Sequence, residues 1–231
     1  MNVGLYRTVA AMRTNQQRVE IVSSNLANTE TTGFKRMLHV AHGSNGWGKN
    51  ADHEQVVTGT RLDMEQGVLQ RTGEDLDLAL DGSGFFVMDG PGGEALTRQG
   101  QFQLSESGVL LSRDGLPVQW SGQRGVLDPN GGAIKIDNRG TVIQGGLAAG
   151  RIRIVDVIGT DGIEPDDSGN YRIRPGAEVV ESDASVSQGF IERANVQTVD
   201  ELVELIAAQR AFDSAAQAFR TIDQSYRRLH Q

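Results

Sequence analysis

The sequence has no cysteine. That absence excludes disulfides, thiolate metal sites and cysteine nucleophiles together, and it suits a chain that works in oxidising surroundings. No apolar run approaches the ~20 residues a membrane-spanning helix needs, so no membrane insertion is expected. Met1 to Glu20 holds no short apolar stretch of the signal-peptide kind, so the chain is expected either to stay in the cytoplasm or to leave it without a cleaved signal. Aromatics make up only 5% of residues and hydrophobics 38%, low values that a globular protein still tolerates. Lys and Arg number 22 against 30 Asp and Glu, a net charge of −8. This acidic balance argues against nucleic acid as a partner. A length of 231 residues allows one or two domains with a sizeable core.

What is present is unevenly spread. Of 29 glycines, only Gly4 and Gly33 precede residue 41, and none follows Gly189. The first forty residues are basic: Arg7, Arg13, Arg18, Lys35 and Arg36 face only Glu20 and Glu30. The acidic excess therefore sits in a Gly-rich middle. The pattern predicts an N-terminal helix and turn over 1–40, an extended linker over 41–60, a β-rich domain over 61–190 and a C-terminal helix over 191–231. The expected fold class is α+β, two long helices flanking a mainly antiparallel β domain.

The N-terminal helix is expected from about Asn2 to Asn28. Leu5, Met12, Val19 and Leu26 recur every seven residues, and Val9 shares the partner heptad position, where Gln16 and Ser23 are polar. Such a narrow seam suits a helix that meets other helices. Near the C-terminus, Leu205, Ala208, Phe212, Ala215, Phe219, Ile222, Tyr226 and Leu229 alternate steps of three and four without a miss. Val199, Leu202 and Ile206 widen that stripe at its start, and Thr198 with Glu201 forms a candidate capping box. Two uses of these stripes are open: contacts with neighbouring molecules, or an internal hairpin of the two arms.

The middle reads as short strands broken by turn-forming Gly and Asp. Hairpins are expected at Arg61–Met64 with Val68–Arg71, Phe85–Met88 with Ala95–Arg98, Phe102–Leu104 with Val109–Leu111, and Ala133–Ile136 with Thr141–Gln144. Phe85, Phe86, Phe102 and Trp120 are assigned to the core. The domain is expected to fold without the arms.

Candidate chemistry is sparse. His39 and His42 lack a third metal ligand nearby. Glu74, Asp75, Asp77 and Asp81 read as a solvated strand face rather than a catalytic pair. Asp161, Asp166 and Asp167 lack the spacing of a calcium loop. Gly82-Ser83-Gly84 precedes a strand, so it is no phosphate-binding loop. No catalytic residue, cofactor or metal site is expected. Two rivals remain in other classes: a hydrolase-type enzyme with a helical oligomerisation arm, and a carbohydrate-binding β module using Trp47 or Trp120.

Four stretches, in order, carry a resemblance. Asn25-Leu26-Ala27-Asn28 followed by Gly33-Phe34-Lys35 resembles the N-terminal signature of bacterial flagellar rod and hook proteins. Asp77 to Phe86, with Gly84-Phe85-Phe86 at its end, resembles the opening of their middle domain. Thr97-Arg98-Gln99-Gly100 resembles its continuation. Gly189 to Val196, including Asn195-Val196, and Gln209-Arg210 resemble their C-terminal signature. The short middle is most similar to proximal rod subunits, with distal rod subunits next. Ala194 stands where Ser is usual, and Phe212-Asp213 where Tyr-Glu is common. The resemblance implies a structural subunit of the basal-body rod, the drive shaft that crosses the periplasm and transmits torque. It implies passage through the flagellar export apparatus without a cleaved signal. Its partners would be copies of itself and other rod subunits, met through the terminal helices.

Overall fold

The computed structural model describes residues 3–44, 55–123, 126–159, 162–166 and 168–229. Its contacts divide the chain into two units. One comprises Met1–Thr29, Met37–Arg61 and Val196–Gln231, the other Glu30–Arg36 and Leu62–Asn195.

The first unit is built from α1 (Val3–Ala27), β1 (Met37–Ser44), β2 (Gln55–Leu62, whose last residue belongs to the other unit) and α2 (Thr198–Leu229). Both helices match the periodicity. Asn28 closes α1: its backbone N–H and its side-chain Nδ2 both donate to the Ser24 carbonyl, at 3.1 and 2.9 Å. α2 has no internal Gly or Pro, Asp200 and Glu201 in its first turn and Arg227 and Arg228 in its last, so its charges complement the helix dipole at both ends. In the stretch expected as a linker, β1 and β2 pair with each other. Val56, Val57, Thr58 and Thr60 are the β-branched residues that favour this; the glycines at 43, 46 and 48 drew the sequence reading away from it.

The second unit contains β3 (Leu69–Arg71), β4 (Leu78–Asp81), β5 (Phe85–Gly90), β6 (Gly93–Thr97), β7 (Phe102–Leu104), β8 (Leu110–Ser112), β9 (Ile134–Ile136), β10 (Thr141–Gln144), β11 (Leu147–Arg151), β12 (Ile154–Val157), β13 (Ile163–Pro165), β14 (Tyr171–Ile173), β15 (Val179–Glu181), β16 (Ser185–Gln188) and β17 (Phe190–Glu192). A six-stranded sheet runs β13-β14-β6-β5-β12-β15 and a three-stranded one β11-β10-β9, with two-stranded ladders β16-β4, β17-β3 and β7-β8. These pairings are antiparallel. Three expected hairpins form: β5–β6, β7–β8 and β9–β10. The fourth does not. β3 pairs with β17 and β2 with β1, because a Glu-Gln-Gly link is no stronger a turn signal than the long-range partners that compete with it. The core gathers Leu78, Leu80, Phe86, Met88, Phe102, Leu110, Val142 and Ile152, with Trp120 packed against it. Phe86 and Phe102 meet edge to face at 5.1 Å, an arrangement aromatic quadrupoles favour.

The turn between β9 and β10 illustrates local control. Gly140 takes φ of 78°, a conformation costly for other residues. The Asp137 carboxylate accepts the backbone N–H groups of Arg139 and Thr141 at 2.9 and 2.8 Å. Desolvation pushes this carboxyl up, but the bonds from Thr141 and Arg139 and the Arg139 charge outweigh it, leaving it below its ordinary value of 3.8. Asp137→Ala should therefore cost the β unit about 1 kcal/mol in urea denaturation at neutral pH. A carboxylate held low stabilises above its unfolded value, so the difference between the two proteins should shrink as the pH falls below that of ordinary Asp.

Candidate assembly interface

α1 and α2 pack on each other. Asn25 meets Glu201, and Arg18 meets Glu204. Val19 and Gln16 line a groove with Phe212, Gln209 and Asp213. Positions rising along α1 thus face positions falling along α2, and the pair is antiparallel. Most residues of the two stripes read from the sequence lie along its seam, joined by Val22, which the seven-residue recurrence left out. Val22 and Ala208 are buried, and Ala208, with no side chain beyond Cβ, permits close approach of the two backbones. Leu5, Met12, Val19, Leu26, Leu205, Phe212, Ala215, Phe219 and Ile222 are half-buried. Val9 and Tyr226 are exposed, and the Leu229 side chain lies outside the described residues. Two helices alone cannot enclose a seam of this length. The groove opens where Gln16, polar in the heptad, stands beside Val19 and Phe212.

Asn25 carries much of this unit's polar order. Its Oδ1 accepts the Met37 N–H at 2.8 Å, and its Nδ2 donates to the Met37 carbonyl at 2.9 Å and to the Glu201 carboxylate at 3.1 Å. Asn25 and Glu201 are each 1% exposed. Glu201, expected at the helix cap, is thus a buried partner of α1. Arg18 Nε donates to Glu204 at 2.6 Å. On β1, His39 is pulled below its ordinary pKa by desolvation and by the nearby Arg18 charge.

The β unit has its own polar centre. Lys35, Arg98 and Glu192 form a cluster whose side chains are 0%, 2% and 1% exposed. Glu192 Oε1 accepts Lys35 Nζ at 2.7 Å and the Gly67 N–H at 2.9 Å; its Oε2 accepts Arg98 at 2.9 Å. Lys35 Nζ also donates to the Glu65 carbonyl at 2.7 Å, and Arg98 to the Gly82 carbonyl at 2.6 Å. The guanidinium lies 5.5 Å from the Phe85 ring centroid, and the Tyr171 hydroxyl accepts the Lys35 N–H at 2.9 Å. Desolvation pulls the Lys35 ammonium below its ordinary value, and Glu192 opposes that pull. Just above the cluster, Asn195 accepts the Arg36 N–H at 2.6 Å and donates to the carbonyls of Asp63 and Glu65. Gly33, with φ of 68°, brings its Cα so near the backbone of Arg98 that an added Cβ would lie 2.3 Å from that carbonyl carbon.

Three of the four resembling stretches supply a charge to this centre: Lys35 from the first, Arg98 from the third and Glu192 from the last. The comparisons with known proteins follow the same division. Residues 5–35 match the family described as flagella basal body rod protein, 79–144 the flagellar hook protein FlgE/F/G D1 domain, and 187–231 the flagellar basal body rod FlgEFG protein C-terminal family. The flagellar basal-body rod protein FlgF of Caulobacter vibrioides is 35% identical, over 94% of this chain and 91% of its own. The chain belongs to the flagellar basal-body rod protein family. FlgF of Rhizobium meliloti is 32% identical over 95% of this chain and 93% of its own, and FlgG of Bacillus subtilis 29% over 97% of each. As a member of this family the chain is a structural rod protein and not an enzyme.

The rod-family motif residues differ in burial. Asn25, Gly33, Phe34, Gly84, Phe85 and Phe86 are buried. Gly84 takes φ of 135°, and a Cβ there would lie 2.4 Å from Ser182 Oγ. Leu26, Asn28, Asn195 and Val196 are half-buried, while Ala27, Gln209 and Arg210 are exposed. Lys35, Arg98 and Glu192 stand within the resembling motifs, and the sequence alone assigns them no role. The available signal was that Lys35 follows Phe34 and Glu192 follows Ile191, each charge set next to an apolar residue that packing buries. Asp77, read as part of a solvated face, is buried at 8% exposure, because its backbone bridges to Gln101 and the next residue, Leu78, donates to the Gly100 carbonyl. Asp166 holds its own turn, accepting the N–H groups of Ser168 and Asn170. Among the described residues no three metal-ligating side chains converge, and no helix is long and apolar enough to cross a membrane. Trp47 and the His42 side chain lie outside the described residues.

Proposed function

We propose that this chain is a subunit of the rod that polymerises through its terminal helix pair and helps transmit torque along the shaft. The observation that carries the reading is the incomplete burial of the α1/α2 seam, from Leu5 and Met12 to Phe219 and Ile222. A head-to-tail contact that does not close a ring yields a helical array, and a half-covered helix pair offers apolar surface for one. Identity with FlgF relatives above that with FlgG favours the proximal rod. Partners are copies of itself, other rod subunits and, before assembly, the export apparatus. The rod would place it across the periplasm.

A tagged copy in purified basal bodies, and loss of swimming when the gene is deleted, test the reading; a chain absent from basal bodies defeats it. A substitution sharpens the test. Phe219 is half-buried in the seam, whereas Gln217 is exposed. Phe219→Asp should weaken the helix pair by about 2–3 kcal/mol through lost burial and carboxylate desolvation, and abolish incorporation and motility. The β unit's melting transition should not move. Gln217→Asp should swim. Equal damage by both exchanges would remove the helix pair from the assembly mechanism.

A further inference from the structure

α2 is apolar on two opposite sides at its start. Leu205, Ala208 and Phe212 lie on the side that packs on α1. Val199, Leu202, Val203 and Ile206 fall at i, i+3, i+4 and i+7, a single face, and they are 71%, 43%, 64% and 51% exposed. Read in sequence, three of these four widened the seam; in the structure they turn away from it. The seam side of the same turns is already engaged by Asn25 and Arg18, so the outward face has no partner within the helix pair. A helix apolar on both sides is made to lie between two partners, and four adjacent exposed aliphatics are more than scattered surface residues require.

Charge narrows the choice of second partner. The first ten residues of α2 carry Asp200, Glu201 and Glu204 and no cation, and Asp200 is exposed beside the apolar face. α1 is the reverse: Arg7, Arg13 and Arg18 precede its first acid, Glu20. On the outward side of α1, Tyr6, Val9 and Arg13 follow each other at steps of three and four. Tyr6 and Val9 are 44% and 36% exposed, and Arg7 and Arg13 are exposed beside them.

Resting on the rod-subunit reading, we infer that the Val199–Leu202–Val203–Ile206 face of one copy docks on the Tyr6–Val9–Arg13 face of a second copy of this chain. Aliphatic side chains meet the tyrosine and valine, while Asp200 meets an arginine at the rim. Each copy has one of each face, so the contact uses two different surfaces and passes from copy to copy, into a helical array when the rotation does not close a ring. The outward faces thus add a second contact between subunits to the one that the half-covered α1/α2 seam offers.

The absence of native cysteine makes the test direct. Full-length Val9→Cys and Leu202→Cys are mixed as single variants, so any disulfide between them joins two molecules. Oxidation is run on concentrated purified protein and on basal bodies from cells carrying both. The mixture should yield a cross-linked dimer about tenfold above Leu202→Cys alone or Leu202→Cys with Ala218→Cys. Adding Val203→Asp to the Leu202→Cys chain should cut the yield by about tenfold, the effect of losing one well-placed apolar contact, while leaving the helix pair's melting unchanged. No link in either preparation overturns the inference. So does a yield as high with Leu202→Cys alone, which would mean the face pairs with itself, or with Ala218→Cys. Presence of the wild-type chain in basal bodies is scored separately: a chain found there without the Val9–Leu202 link defeats this contact and leaves the rod reading standing, whereas a chain absent from basal bodies defeats the rod reading whatever the link shows.

Discussion

Glu192→Gln should destabilise the β unit by about 3–5 kcal/mol, the usual result of removing one partner from a buried ionic cluster. Two cations, Lys35 and Arg98, share this one carboxylate, and all three side chains are at most 2% exposed. The amide preserves shape and can still accept a hydrogen bond, so packing loss contributes little and the charge accounts for the change. The expected readout is a fall of roughly 10 °C or more in the β unit's melting temperature, with a lower urea midpoint. A pH signature separates this from a general loss of packing. Burial already lowers the Lys35 pKa, and Glu192 limits the drop; without it the drop deepens. A lysine whose folded pKa lies below its unfolded 10.5 is protonated more in the unfolded chain. Stability then rises with pH between those two values. The Glu192→Gln deficit should therefore narrow as the pH rises from neutral toward the ordinary lysine value, before the Tyr171 hydroxyl, pushed up by burial, brings an opposing slope. A deficit under about 1 kcal/mol, or one that widens over that interval, would show that the cluster is not what holds these strands together.

The second large effect concerns where the β unit begins. A fragment of residues 62–195 lacks Phe34 and Lys35, both buried. It leaves Glu192 with one cation and deprives Tyr171 and Asn195 of the Lys35 and Arg36 N–H groups. Losing the phenylalanine alone costs about 3–5 kcal/mol, and losing the lysine and its bonds costs further. Against a whole-domain stability of about 5–15 kcal/mol, little remains. Residues 30–195 should melt cooperatively, while 62–195 should show weak near-ultraviolet dichroism and a broad transition. A sharp transition in the shorter fragment within a few degrees of the longer one would mean that Gly33–Lys35 is an accessory strap. Glu30–Arg36 cluster with Leu62–Asn195, so we propose that the part able to fold without the helices includes these seven residues.

Much was legible in the sequence because it is local. The seven-residue recurrence of Leu5, Met12, Val19 and Leu26 and the unbroken stripe from Leu205 to Leu229 specify helices that each carry a lengthwise apolar stripe, since side-chain spacing on a helix depends on nothing beyond the helix. The β5–β6, β7–β8 and β9–β10 hairpins were readable for the same reason: their turns lie between their strands. Family membership was readable because four motifs survive in order.

The rest depends on residues far apart in sequence. β3 finds β17 and β4 finds β16 across more than a hundred residues, and no local turn signal encodes such partners. Lys35, Arg98 and Glu192 become a cluster only once those ladders close, 157 positions separating the first from the last. The sequence by itself determined that α2 has apolar residues at 199, 202, 203, 205, 206 and 208. Only the tertiary structure decided which of them α1 covers, because a helix's pattern shows how its faces are composed but not which partner each one meets.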